Sequence, residues 1–417
     1  MSEQITSLRI NEDRFRSNFE ALAALGATPE GGVDRPALSA AHLEARRLFL
    51  ELAAKAGLET EVDGAGNHRA FLPCGSPEAP VLLLGSHLDS VPQGGRFDGA
   101  LGVLAALEVL QVIKENDIAL NVYLEAIDFT DEEGRFVSLM GSRAMMGKLK
   151  RDDFQNLCES RELFQRALTR ANLDENSILC AGRTPANFAG YLELHIEQGT
   201  RLLDQGKDIG IVTTIVGIRS WRLRFIGRAD HAGTTPMAKR FDAAQGAAAF
   251  TLAARALVMK EFPEGVVNVG MMEFAPGAFN VVPETVSVAL QFRADQQNKM
   301  DRMEAALLLQ AAQDADRFSL RLETEKLEKV APVDMNPQVQ NAITQACEHL
   351  NLSHTMLPSG AGHDAQTLAP VCPTGMIFVP SVGGFSHSPK EFTEWSDCYN
   401  GVNTLLHSAL ILAEQNK

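Results

Sequence analysis

Apolar residues Leu43, Leu48, Leu52 and Ala56 fall on one helical stripe, opened by Ser39 and closed by Gly57, which predicts an amphipathic helix over residues 39–56. The run Ala79-Pro-Val-Leu-Leu-Leu-Gly85 is instead continuously apolar, the pattern of a strand covered on both faces. A helical stretch follows over residues 101–113. Two further strand candidates are Leu120-Asn-Val-Tyr-Leu-Glu-Ala-Ile-Asp-Phe129 and Gly190-Tyr-Leu-Glu-Leu-His-Ile196. Strands alternating with helices imply an α/β layer structure with a largely parallel sheet.

The pattern changes near Val216. Trp221, Leu223 and Phe225 alternate with Ser220, Arg222 and Arg224, which describes a strand with one solvated face. A helix is predicted over 242–260, strands over 266–274 and 285–293, a helix over 300–315 and a strand over 318–330. That order is β-α-β-β-α-β and constitutes a domain of its own, inserted into the first. The expected division is therefore 1–215 with 331–417 for the α/β domain and 216–330 for the insertion, with a final helix over 397–414.

Length and composition narrow the class. At roughly 150 residues per domain, 417 residues make two to three domains, and 45% hydrophobic with 22% charged residues excludes a disordered chain. Acidic residues outnumber basic ones by 53 to 38, a net charge of −15 that repels nucleic acid and anionic membranes but permits a small anionic substrate at a locally positive site. Six scattered cysteines without a Cys-x-x-Cys pair fit neither a disulfide scaffold nor a thiolate zinc site, and most are expected as buried free thiols. With no signal-like N-terminus and no apolar run of about 18 residues, a cytoplasmic protein is expected.

Candidate chemistry gathers where the first three strands end. His87-Leu-Asp89 follows the first, and a His and an Asp two positions apart share a face. Asp98 lies in the glycine-flanked turn Gly94-Gly-Arg-Phe-Asp-Gly99. The second strand is followed by Thr130-Asp-Glu-Glu-Gly134, three successive acids whose repulsion a cation would relieve. The third ends in His195-Ile-Glu-Gln-Gly199. Gly360-Ala-Gly-His-Asp364 and Gly384-Phe-Ser-His387 come later. This nitrogen and oxygen donor set suits zinc, manganese, cobalt or nickel, and one carboxylate bridging two ions would make a binuclear site. His-Glu-x-x-His, Gly-x-Ser-x-Gly and P-loop patterns are absent from the sequence. Gly360 to Ala365 matches a dinucleotide fingerprint but carries no strand signal ahead of it.

Together with Gly32-Val-Asp-Arg35, Asp63-Gly-Ala-Gly-Asn67, His231-Ala-Gly-Thr-Thr-Pro-Met237 and Asn280-Val-Val-Pro283, these motifs resemble the hydantoinase/carbamoylase branch of the aminoacylase and dipeptidase-like binuclear metallohydrolases, over nearly the whole chain. The resemblance implies two divalent ions, one held by His87, Asp98 and His195, the other by Asp98, Glu133 and His387, with Asp98 as the bridge. Asp89 would support His87, and Glu132 would be the general base and acid. The inserted domain would be a lid and dimerisation domain. Its Arg293 would grip a substrate carboxylate, Asn280 would add a hydrogen bond, and His231 would stabilise the oxyanion, within its own subunit or across the dimer. Gln198 would face the substrate, and Gly360 and Ala361 would offer backbone donors. His363 and Asp364 would support the metal ligands from behind or the loop that carries them, and Arg35, Asn67 and Asp131 match or adjoin the motifs without an assigned role.

The expected activity is hydrolysis of the ureido C–N bond of a small, anionic N-carbamoyl-L-amino acid type substrate, releasing ammonia, carbon dioxide and an amino acid, in a homodimer. Allantoate amidohydrolase and β-ureidopropionase activities are the nearest alternatives. An aminoacylase or dipeptidase is more distant, and a binding protein would be missing a ligand or the base.

Overall fold

The computed structural model describes residues 7–73, 76 and 78–415. The strands, in chain order, are β1 (Glu59–Val62), β2 (His68–Leu72), β3 (Val81–His87), β4 (Tyr123–Phe129), β5 (Phe188–Ile196), β6 (Ile209–Ile215), β7 (Gly217–Ile226), β8 (Val266–Ala275), β9 (Thr285–Ala294), β10 (Arg321–Val330), β11 (Val333–Asp334), β12 (His354–Ser359) and β13 (Thr374–Val379). The chain divides into two compact units, one formed up to Thr213 and again from Asp334, the other by Thr214–Val333.

The larger sheet has nine strands in the order β1-β2-β4-β3-β5-β13-β6-β11, with β12 paired to β6. Its centre is parallel: β3 runs with β4 and β5, and β5 with β13. Leu82, Leu83 and Leu84 of β3 are wholly buried, each side chain contributing roughly 1.5–3 kcal/mol of hydrophobic stabilisation. The helix Ala100–Glu115 packs on β3 and β4 and against the helices Glu12–Ala23 and Trp395–Gln415, which is why it is apolar around nearly its whole circumference.

In the second unit, β10-β7-β9-β8 form an antiparallel sheet. Val286, Val288, Leu290 and Phe292 of β9 are buried with the helices Ala243–Glu261 and Gln297–Arg317, while Ser287, Gln291 and Arg293 alternate onto the other face. The element order is β-α-β-β-α-β, and the α/β class with a mainly parallel central sheet is as expected.

Several elements escaped the sequence pattern, among them β6, β13 and the helix Glu12–Ala23. β12 directly precedes Gly360, so a strand does stand ahead of the glycine-rich segment. Its lone partner strand explains how Pro358, which cannot donate a ladder hydrogen bond, is tolerated there. The helix that follows, Ala365–Leu368, is only 4 residues long. Of the cysteines, Cys347, Cys372 and Cys398 are buried, Cys158 and Cys180 are exposed, and Cys74 lies outside the described residues, as do the chain ends 1–6 and 416–417.

Candidate metal centre

Parallel strands present the groups at their C-terminal ends on one edge of the sheet. His87 ends β3, Thr130 to Glu133 follow β4, His195 is the penultimate residue of β5, and His387 lies on the loop after β13. Asp98 arrives on the turn before the helix Ala100–Glu115. That turn needs glycine: Gly99 has φ +65°, and a Cβ there would meet the His87 carbonyl oxygen at 2.4 Å and its imidazole at 2.5 Å.

Asp98 stands between two sets of donors. Its Oδ1 lies 3.1 Å from His195 Nε2 and 3.4 Å from His87 Nε2, and its Oδ2 lies 3.5 Å from His387 Nε2. His387 Nε2 is in turn 3.6 Å from Glu133 Oε2. Donor atoms of His87, Asp98 and His195 all lie within 4.8 Å of one another, as do those of Asp98, Glu133 and His387. Both buried imidazoles are oriented by main chain: His87 Nδ1 lies 2.9 Å from the Asp89 carbonyl and His195 Nδ1 3.0 Å from the Ile196 carbonyl. A carbonyl accepts only from N–H, so in each ring Nε2 keeps the lone pair that a metal uses.

The charges favour a cation here. Burial raises Glu132 well above the usual carboxylate range against the opposing pull of His87, and burial with Asp98 does the same for Glu133. Burial opposes a charged His87, yet Glu132 foremost, then Asp98 and Asp89, hold it well above the imidazole range. Burial would raise Asp98, but His195 and His87 keep it well below. A divalent ion would relieve both the carboxylate repulsion and the need for protons. The nitrogen and oxygen donors, with Nε2 lone pairs aimed inward, therefore fit metal binding.

Other expected residues take distinct places. The Asp89 carboxylate, 3.9 Å from His87 Nδ1, accepts the backbone N–H groups of Glu132 at 3.4 Å and Glu133 at 3.2 Å, so it fixes the acidic loop rather than the imidazole. Glu132 Oε2 is 3.6 Å from His87 Nε2. Gln198 donates from Nε2 to Asp98 Oδ2 at 2.8 Å and to Ser386 Oγ at 2.9 Å. Ala361 N–H is taken by Ser359 Oγ at 3.2 Å, and Gly360 lies next to it at the end of β12. His363 stacks edge-on against His195, and Asp364 is buried where Glu193 helps raise its carboxyl.

In the second unit His231 is exposed and its Nδ1 accepts the N–H groups of Gly233 at 3.1 Å and Thr234 at 3.2 Å, which puts its hydrogen on Nε2. Asn280 sits beside it, its carbonyl accepting Ala232 N–H at 3.0 Å. Arg293 lies on the helix-free face of β9.

Residues without an assigned role turn out to be braces. Arg35 donates to the carbonyls of Leu88, Leu22 and Leu25. Asn67 accepts Thr130 N–H and donates to Asp63 and Gly141. Asp131, in the left-handed region at φ +57°, caps Phe136 and Val137. Sequence reasoning missed Arg46, whose Nε is 2.7 Å from Asp128 Oδ2 with both wholly buried, Glu193, which binds Ser86 Oγ and Ala365 N–H, and Glu391. Glu193 had a local signal, two positions from His195 on the same face of β5. Glu391 had none.

The sequence matches peptidase family M20/M25/M40 over residues 83–410. It is 38% identical to the N-carbamoyl-L-amino acid amidohydrolase of Geobacillus stearothermophilus, over 97% of this chain and 99% of that protein. The allantoate amidohydrolase of Escherichia coli (strain K12) is 34% identical, over 92% of this chain and 94% of its own. A crystal structure of an amidase of the hydantoinase/carbamoylase family from Burkholderia multivorans superposes with a TM-score of 0.89 at 34% identity, covering 98% of this chain and 99% of that one.

Proposed function

Because the chain belongs to peptidase family M20/M25/M40, we propose that it is a metal-dependent amidohydrolase that cleaves the ureido C–N bond of a small carboxylate-bearing N-carbamoyl substrate, of N-carbamoyl-L-amino acid type. The products are ammonia, carbon dioxide and the amino acid. The observation that carries this reading is the sharing of one carboxylate, Asp98, by two sets of metal donors next to Glu132.

His87, Asp98 and His195 would hold one ion and Asp98, Glu133 and His387 the other, zinc, manganese, cobalt or nickel by donor chemistry. Bound there, the ions supply Lewis acidity toward the ureido carbonyl oxygen and a lowered pKa for the attacking water. Glu132 takes the proton of that water on its carboxylate and delivers it to the leaving nitrogen. Asp89 keeps Glu132 in place through the backbone of the acidic loop. His231 Nε2–H is suited to the developing oxyanion because both main-chain donors occupy Nδ1. Arg293, with Asn280, holds the substrate carboxylate, and Gln198 and Gly360 complete the substrate contacts, joined by Ala361 N–H once it exchanges Ser359 Oγ for the substrate.

The second unit would serve as lid and dimerisation domain. β8 is an edge strand carrying exposed Val266, Met271 and Phe274, and the helix Ala243–Glu261 exposes Leu252 and Met259, apolar surface of the kind a second copy covers. Among the described residues no helix is long and apolar enough to cross a membrane, and free buried thiols support a cytoplasmic setting.

Ammonia and amine release from N-carbamoyl-L-amino acids, N-carbamoyl-β-alanine, allantoate and N-acetyl amino acids, with stripped protein reloaded with each metal, tests the reading. Turnover of N-acetyl substrates alone would sink it. Preference for allantoate is the second reading, favoured by the Escherichia coli relative.

A further inference from the structure

We infer that Glu391 is a positioning residue that ties the Asp98 turn to the His387 loop and thereby sets the affinity of the Asp98, Glu133 and His387 position for its cation. The inference rests on the reading of those three residues as metal ligands.

Glu391 is 3% exposed. Its Oε1 accepts two main-chain N–H groups from the ligand-bearing turn, Phe97 at 2.8 Å and Asp98 at 3.0 Å. Its Oε2 lies 3.3 Å from Ser386 Oγ, in the residue before His387. That hydroxyl is also 3.1 Å from Asp98 Oδ2 and accepts from Gln198 Nε2. With one hydrogen, Ser386 donates to either carboxylate while Gln198 holds it from the other side. One side chain thus fixes the turn carrying Asp98, and through Ser386 the loop carrying His387.

The fit is close. A Cβ on Gly95 would fall 1.9 Å from the Glu391 carboxyl carbon, so only glycine admits the carboxylate at that point of the turn.

The two cation positions depend on this clasp unequally. His87 and His195 stand in β3 and β5, held by sheet ladders and by Nδ1 contacts to main-chain carbonyls. His387 belongs to no helix or strand, has φ +52°, and its side chain is 50% exposed. Losing the Glu391 clasp therefore loosens Asp98 for both positions but His387 for only one of them, while the histidine pair of the other position stays in the sheet. Partners that orient metal ligands are typically worth about 10–100-fold in affinity.

The test measures metal equivalents per chain, on the full-length protein, by elemental analysis across a series of buffered free manganese or zinc concentrations. Glu391→Ala is expected to weaken one equivalent by about 10–100-fold and the other, which shares Asp98 but keeps both sheet-held histidines, by clearly less. Glu391→Gln is expected to restore it in large part, because an amide oxygen still accepts both N–H groups. Glu391→Asp keeps the charge but falls short of the turn, and is expected to repeat the selective loss, which guards against an alanine variant that fails to fold. Equal weakening of both equivalents, or of neither, overturns the inference. His387→Ala should weaken the same single equivalent. If it does not, or if wild type binds fewer than two ions, the ligand reading itself fails and the inference falls with it.

Discussion

The guanidinium of Arg293 donates from Nε at 3.2 Å and from Nη2 at 2.9 Å to the amide oxygen of Gln291, two positions earlier on the same face of β9. Gln291 in turn donates to Ser220 Oγ at 3.2 Å. A neutral amide thus helps to orient the guanidinium, whose planar fork of donors matches a carboxylate.

Arg293→Ala is therefore expected to raise KM for an N-carbamoyl amino acid by roughly 10–100-fold, the worth of charge-assisted hydrogen bonds, with Arg293→Lys recovering part. Gln291→Glu should also raise KM, since it neutralises the guanidinium. Steady-state kinetics against the matching carboxamide provide the check: an equal loss on acid and amide would remove Arg293 from carboxylate recognition.

Glu132→Gln keeps the size of the side chain and removes the proton acceptor. Its kcat should fall by about 10²–10⁴-fold, the usual share of general acid–base catalysis, with bound metal unchanged. A variant that retains wild-type kcat while metal content is equal would assign the proton transfer elsewhere.

Chelation should abolish turnover and lower thermal stability, because the buried carboxylates Asp98 and Glu132 and the half-buried Glu133 then face one another without a cation. Restoring ions at 100 times their dissociation constant should return about 2.7 kcal/mol per site. Scanning calorimetry with and without chelator reads this directly, and an unchanged Tm together with full activity would rule out the metal reading.

His68 is mostly buried, and that burial, reinforced by Arg46, lowers its pKa to about 3 from an ordinary 6.5. Its Nδ1 lies 2.8 Å from the Gly66 carbonyl. The unfolded chain takes up this proton below pH 6.5 and the folded one does not, so stability falls as pH drops from 6.5 toward 3. The contribution at pH 5 is a loss of roughly 2 kcal/mol. Urea midpoints of wild type and His68→Gln should converge as the pH is lowered; parallel curves would contradict the buried neutral imidazole.

Arg46 and Asp128 form a wholly buried ion pair at 2.7 Å, and Arg46 also donates to the carbonyls of Gly66 and Phe129. Arg46→Met strands the Asp128 carboxylate and should cost ~3–5 kcal/mol. Adding Asp128→Asn, which still accepts Leu88 N–H, should recover part of the loss in denaturant titrations. Additive losses in the double variant would show that the pair is not coupled.

Much of this arrangement could be read along the chain because it is local. The continuous apolar run Val81 to Leu84 and the alternation Trp221, Leu223, Phe225 are properties of neighbouring residues, and each marks a strand by its own period. β13 was not expected although it carries such a run, Met376 to Val379, whereas the edge strand β12 is only half buried and carries no such period. The motifs at the strand ends offered candidate donors by residue type, and only the family resemblance implied their division into two cation sets.

By itself, then, the sequence determined the α/β class, the β-α-β-β-α-β insertion and which residue types could serve a metal, since these depend on periodicity and on side-chain chemistry. Tertiary structure alone decided that Asp89 braces the acidic loop through its carboxylate and that Arg46 neutralises Asp128. It also decided that Glu391 reaches the Asp98 turn from 293 positions away. Such contacts are made when distant segments pack at one edge of a sheet, and burial then sets their hydrogen bonding and charge, so no local pattern encodes them.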